Sequence, residues 1–245
     1  MKIHRSTHRA SIHAATQIIR AGPIALLIAA TSAPLCAAPA PLWRDTPLAR
    51  LEALALIQTL NTELLSSSSA TRTLERWCQS HALAEPAQIV ARRIDGSETT
   101  ANAAIRQDLQ VSAEEPVKYR RVELRCGEHV LSIADNWYVP ARLTPEMNRS
   151  LATTQAPFGK VVQPLSPHRE TLAVKLLWSP LPDGWERAPG RSAVKFTISH
   201  NLELPAALFE HRALLYANTH QPIAEVHEVY QRDVLAFPEP QLPAW

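Results

Sequence analysis

KYRRVELRCGEHVLSIADNWYVP, residues 118–140, holds the pattern on which the fold turns. Two apolar-polar runs flank Gly127-Glu128, a two-residue connection of the kind that closes a β-hairpin. In the first run Val122, Leu124 and Cys126 alternate with Tyr119, Arg121, Glu123 and Arg125. That two-residue period sends the sets to opposite faces of a sheet. The first run also carries Lys118, Arg120, Arg121 and Arg125, so the pattern leaves open which charges meet water and which hold an anionic ligand.

Working outward, AQIVARRI at 87–94 reads as a strand, and DGSETTANAA at 95–104 as a polar excursion around a turn. Upstream, DTPLARLEALALIQTLNTELL at 45–65 is helical, with Leu48, Leu51, Leu54, Ile57, Leu60 and Leu64 at three- and four-residue steps. Asp45 or Thr46 can cap it, and Pro47 suits its first turn. SSSS at 66–69 interrupts the pattern, and Ser68 or Ser69 can cap a second helix that turns Leu74 and Trp77 inward. Downstream, Thr144-Pro145 starts a short helix running through Leu151. HRETLAVKLLW (168–178), SAVKFTISHNLEL (192–204), HRALLYA (211–217) and QPIAEVHEVYQRDVL (221–235) are strand-like, with a proline-rich surface loop at 179–192. The expectation is an α+β fold around an antiparallel β-sheet.

The first 37 residues differ from the rest. Lys2, Arg5, Arg9 and Arg20 precede the apolar run PIALLIAATSAPLCA at 23–37, and no acidic residue occurs before Asp45. This is the grammar of a signal peptide, cut after Ala37, leaving one domain over residues 38–245 in the periplasm or secreted. The run is too short for a membrane span. Its removal subtracts four positive charges from a net +2, giving −2, so composition offers no case for nucleic-acid binding. Cys78 and Cys126 then remain, readable as one disulfide or as two buried thiols. No Cys/His cluster has zinc spacing, so no metal is expected. The serine run lacks a nucleophile elbow, and helix capping explains it.

Several segments in order resemble the chorismate-pyruvate lyase family: LLSSSSATRTLERW, RRVELRC through YVP, LTPEMNRSLATTQAPFGKVV, and LFEHRALLYANTHQPIAEVHEVYQRDVL. The resemblance covers about residues 48–238, with an extra segment near 179–207. It implies a chorismate lyase-like fold, an antiparallel β-sheet with helices packed on one face, an enclosed pocket under helical flaps, and no cofactor. The family's carboxylate-binding arginine falls on Arg121 and its glutamate beside the ether oxygen most nearly on Glu228. The flap position falls on Ala70, small where the family is bulky, and the residue before the turn glycine on Phe158. A guanidinium suits a carboxylate because its paired N–H groups fit the two oxygens. A glutamate in an apolar pocket could donate a proton to the leaving enolpyruvyl oxygen. Glu225 competes with Glu228, and Arg120 with Arg121, since a one-residue slip exchanges the faces.

Three functions follow from these readings. One is a cofactor-free lyase eliminating pyruvate from chorismate to give 4-hydroxybenzoate. Another is a non-catalytic module binding a small aromatic or cyclic carboxylate, and the third is a structural envelope protein with a filled pocket.

Overall fold

The structure is a computed structural model, and it describes residues 43–96, 98–187 and 200–240. Helix α1, Pro47–Leu65, starts where Thr46 accepts the backbone N–H of Ala49 and ends before the serine run. Helix α2, Ala70–Ser80, starts where Ser69 accepts the N–H of Arg72. Strand β1, Ile89–Arg93, is followed by a short helix α3, Ala103–Asp108. The sequence reading took the start of α3 for part of a polar excursion; the side chain of Asn102 caps it by accepting from Ile105 N. Strands β2, Lys118–Cys126, and β3, His129–Tyr138, form the expected hairpin, and Gly127 takes a positive φ of 54° in its loop. Helix α4, Pro145–Thr153, and the single turn α5, Phe158–Val161, precede β4, His168–Leu176. Strands β5, Ala207–Tyr216, and β6, Pro222–Gln231, complete the set.

The six strands form one antiparallel sheet in the order β1-β2-β3-β6-β5-β4. Helices α1, α2, α4 and α5 pack on one face, here called the front, through two buried apolar clusters. The short α3 lies against the reverse, where Ile105 and Leu109 meet Trp137, Val139 and Leu214. This is the α+β architecture expected from the patterning. Residues 1–37, read as a signal peptide, lie outside the described residues, as do positions 192–199 of the expected strand at 192–204.

Helix α1 buries a different stripe from the one its leucines suggest. Ala49, Ala53, Ile57, Leu60 and Leu64 face inward at 0–1% exposure, while Leu48 and Leu51 remain 52% and 41% exposed. Ala49 and Ala53 belong to the buried cluster that also holds Trp43, Leu202 and Leu208, so small side chains carry the inward stripe at the N-terminal end of the helix. The helix is anchored at both ends. Arg50 donates to Asp45 and to the carbonyl of Pro180, and Asn61 reaches His211 on β5.

Cys78 on α2 and Cys126 at the end of β2 are bonded, with Cα atoms 6.5 Å apart and both side chains fully buried. The bridge fastens α2 to the sheet over a separation of 48 residues. Closing a loop of that length restricts the unfolded chain, an effect worth about 2–4 kcal/mol. Urea unfolding of the wild type is therefore expected to exceed that of the Cys78→Ser/Cys126→Ser protein by about that amount. Equal midpoints would show that packing of α2 alone holds it in place.

Candidate functional site

The front face holds a partly open cavity of about 310 Å³ where the N-terminus of α2, the α5 turn and the sheet converge. Its apolar walls include Ala70, Val122, Leu124, Phe158, Leu215 and Val226. Gly159 at the α5 turn sits close to α2: a Cβ there would lie 3.2 Å from Thr71 Oγ1, so that side chain would have to give by a few tenths of an ångström. The polar lining consists of Ser68, Ser69, Thr71, Arg72, Asn136, Gln163, Ser166, Arg169 and Glu228, interleaved with the apolar walls: Arg169 registers against Leu215 and Asn136 against Val226. The first-turn N–H groups of a helix have no intrahelical acceptor and carry part of the positive end of its dipole. The α2 terminus therefore presents donors and partial positive charge to the cavity.

Glu228 lies on β6 at 6% exposure, registered against Ala134 and His211. Its Oε2 accepts from Arg169 Nη2 at 2.7 Å and from the Tyr230 hydroxyl at 3.1 Å. Both members of the Arg169–Glu228 pair are buried, with side-chain exposures of 4% and 7%. Burial is the largest single influence and disfavours the charge on Arg169, yet the field of Glu228, the neighbouring Tyr230 and the hydrogen bond to Glu228 together outweigh it, and the guanidinium pKa is raised. Tyr230 is held neutral, its pKa raised well above the usual value by burial and then by Glu228. His211 completes the group. Its Nε2 donates to Asn61 Oδ1 at 2.7 Å, and its Nδ1 has no partner among the described residues. Burial pushes its pKa down to about 4, with Glu228 opposing and Arg169 adding to the shift.

Of the residues singled out from the sequence, Ala70, Phe158 and Glu228 meet at this cavity. Arg121 does not. It shares the reverse face with Tyr119, Glu123 and Arg125, is 37% exposed, and pairs with Asp135 at 3.3 Å. The cause is parity: Val122 and Leu124 line the cavity, so their odd-numbered neighbours must point away. Arg121 therefore cannot clamp a ligand held beside Glu228. Arg120 is the arginine that turns to the front, at 2% exposure, but it donates to the carbonyls of Thr154 and Ala156 and so supports the α4–α5 connection. Glu225, the rival to Glu228, faces the reverse with Arg212.

The guanidinium that does reach Glu228, Arg169, was not singled out from the sequence. A register shift between Thr171 and Ala173 breaks the period of β4, so Arg169 and Val174 share a face although five residues separate them. The apolar residues of β4 add to the concealment. Leu172, Val174 and Leu176 are about 40% exposed on this edge strand, so its hydrophobic pattern does not report which side chain is buried.

Two measurements check the electrostatics. Arg169→Met leaves Glu228 buried without its cation and is expected to cost about 3–5 kcal/mol, whereas Arg121→Ala, half in solvent, is expected to cost about 0–1 kcal/mol. Comparable losses in urea unfolding would contradict the assignment. His211 supplies a pH signature. Its folded pKa lies below its unfolded value, so between pH 6.5 and 4 the unfolded chain binds a proton that the native chain does not. Stability contributed by the neutral ring is present above pH 6.5 and lost as pH falls toward 4, by about 3 kcal/mol. His211→Gln is expected to show that much less acid sensitivity across the same window.

No family model matches the sequence. Among solved structures, similarity extends to the effector domain of PhnF from Mycobacterium smegmatis, at 15% identity and TM-score 0.43, covering 68% of this chain and 90% of that one. Longer PhnF from the same organism gives 14% identity and TM-score 0.44 over 74% of this chain and 71% of that one. A GntR-family transcriptional regulator from Enterococcus faecalis gives 9% and 0.37 over 63% and 99%. Likeness at these scores says nothing about ligand or activity. The sequence relationship is much stronger: uncharacterized protein y4mC of Sinorhizobium fredii is 49% identical over 201 residues, 82% of this chain and 84% of y4mC. The chain belongs to the y4mC family.

Proposed function

We propose that this chain is a non-catalytic binding domain for a small aromatic or cyclic carboxylate. The observation that carries the reading is the mixed lining of the front cavity. Val122, Leu124, Phe158, Leu215 and Val226 contribute apolar surface, and Arg72, Arg169 and the first turn of α2 contribute positive charge and donors beside it. A flat ring fits the apolar surface, and its carboxylate fits the donors and positive potential. At about 310 Å³ the cavity is at the small end of the range for ligand pockets.

Lyase chemistry is the less favoured reading. It called for Arg121 and Glu228 across one hollow, and they stand on opposite faces of the sheet. Glu228 instead spends one oxygen on Arg169 and Tyr230, an arrangement that holds the sheet together beneath the cavity. Export is part of the proposal. The signal-like segment at 1–37 supports a periplasmic or secreted location, and the Cys78–Cys126 bridge suits an oxidising compartment. The reading includes no nucleic-acid partner.

Thermal unfolding in the presence of benzoate, 4-hydroxybenzoate and chorismate tests the reading. A carboxylate present at about a hundred times its Kd adds about 2.7 kcal/mol to stability, while benzyl alcohol adds little. Ala70→Trp, which fills the cavity, is expected to abolish the response, and Arg72→Ala to weaken it about tenfold. Release of pyruvate from chorismate by the purified protein would overturn the non-catalytic assignment. Failure of every carboxylate to raise the melting temperature would overturn the ligand class.

A further inference from the structure

The two edges of the sheet are finished differently. A free edge presents unpaired N–H and C=O groups that can template a further strand, so proteins commonly shorten it, charge it or cover it. At one edge β1 has five residues and ends in Arg92 and Arg93, and the N–H of Ala91 donates to the carbonyl of Gln155 in the α4–α5 connection. At the other edge β4 has nine residues, and no described strand pairs with its outer side. Leu172, Val174, Leu176 and the following Leu177 are 38–43% exposed there. This edge is long, apolar and uncovered among the described residues.

The charges on β4 select what it accepts. The register shift between Thr171 and Ala173 changes the phase of the strand, so Glu170, against Leu214, and Lys175, against Glu210, both project from the reverse face. Both are exposed, and Glu210 is already in contact with His227 at 3.2 Å. Ala173, against Arg212, lies midway between them in register. A two-fold axis through Ala173, perpendicular to the sheet, therefore sets Glu170 of one copy opposite the partner's Lys175, and does so twice. Axes through Glu170 or Lys175 would oppose like charges instead. On the front face the same axis lays exposed Val174 beside the partner's Thr171, and it brings the two copies of Leu172 together near the centre. Opposite charges facing across an antiparallel pair are favourable and like charges unfavourable, so the strand complements its own reversal.

We infer that β4 is the interface of a two-fold homodimer, in which two β4 strands pair antiparallel about Ala173 and join the sheets edge to edge, with Glu170 and Lys175 fixing the register.

Sedimentation velocity over a dilution series of the purified protein tests this. The wild type is expected to pass from dimer to monomer on dilution. Glu170→Lys and Lys175→Glu each turn both facing pairs into like charges and are expected to weaken the dimer at least tenfold. Both positions are exposed, so the fold survives either change. An equimolar mixture of the two variants is expected to associate as tightly as the wild type, since every facing pair then joins opposite charges. A wild type that is monomeric throughout, even if an unrelated strand peptide binds its edge, would overturn the inference. So would a dimer indifferent to the single changes, or a mixture that stays monomeric.

Discussion

Strand β6 carries two glutamates three residues apart, and the pleat of the sheet drives them to opposite faces. Both are buried, and each is met by an arginine from elsewhere in the sheet: Glu228 by Arg169 of β4 and Glu225 by Arg212 of β5. A carboxylate withdrawn from water needs a partner charge and donors to offset its lost hydration. The position of β6 near the centre of the sheet, between β3 and β5, therefore requires both arginines to be where they are. The front cavity borders the first of these pairs.

On the front face the pair is part of a wider polar group. Tyr230 and His211 pack beside it, their rings 5.2 Å apart, and Phe209 stacks on Tyr230 at 4.5 Å. These aromatic rings exclude water from the floor beneath the cavity, which strengthens the attraction between Arg169 and Glu228. The walls are as deeply buried, Val122, Leu124, Phe158 and Val226 among them. The first turn of α2 is positioned by the Ser69 cap and by the bridge from Cys78, while α5 lies against Thr71 of α2 and Phe158 packs on Tyr138. The helical segments above the sheet are thus held by contacts between elements distant in sequence.

Where sequence reading succeeded, it relied on signals internal to one element. The period of two in β2, the Gly127-Glu128 loop, and the caps at Thr46, Ser69 and Thr144 all appear in the structure at the positions expected. The alternation in β2 even carried the information that Arg121 opposes Val122 and Leu124, and the functional assignment set that parity aside. Leu48 and Leu51 misled for a different cause. At the N-terminal end of α1 the inward stripe is carried by Ala49 and Ala53, so counting leucines alone placed the buried face wrongly there.

The residues alone determined the class of fold, the hairpins, the starts of α1, α2 and α4 and the opposite facing of Glu225 and Glu228, because each depends on bond geometry repeated every two or 3.6 positions or on a cap beside it. Which arginine meets which glutamate was decided only in three dimensions. Arg169 reaches Glu228 across 59 positions of chain, through the order β6-β5-β4 and a bulge that shifts the phase of β4. Strand order and bulges arise from how whole elements pack and satisfy their backbone groups together, and no local spacing encodes that sum.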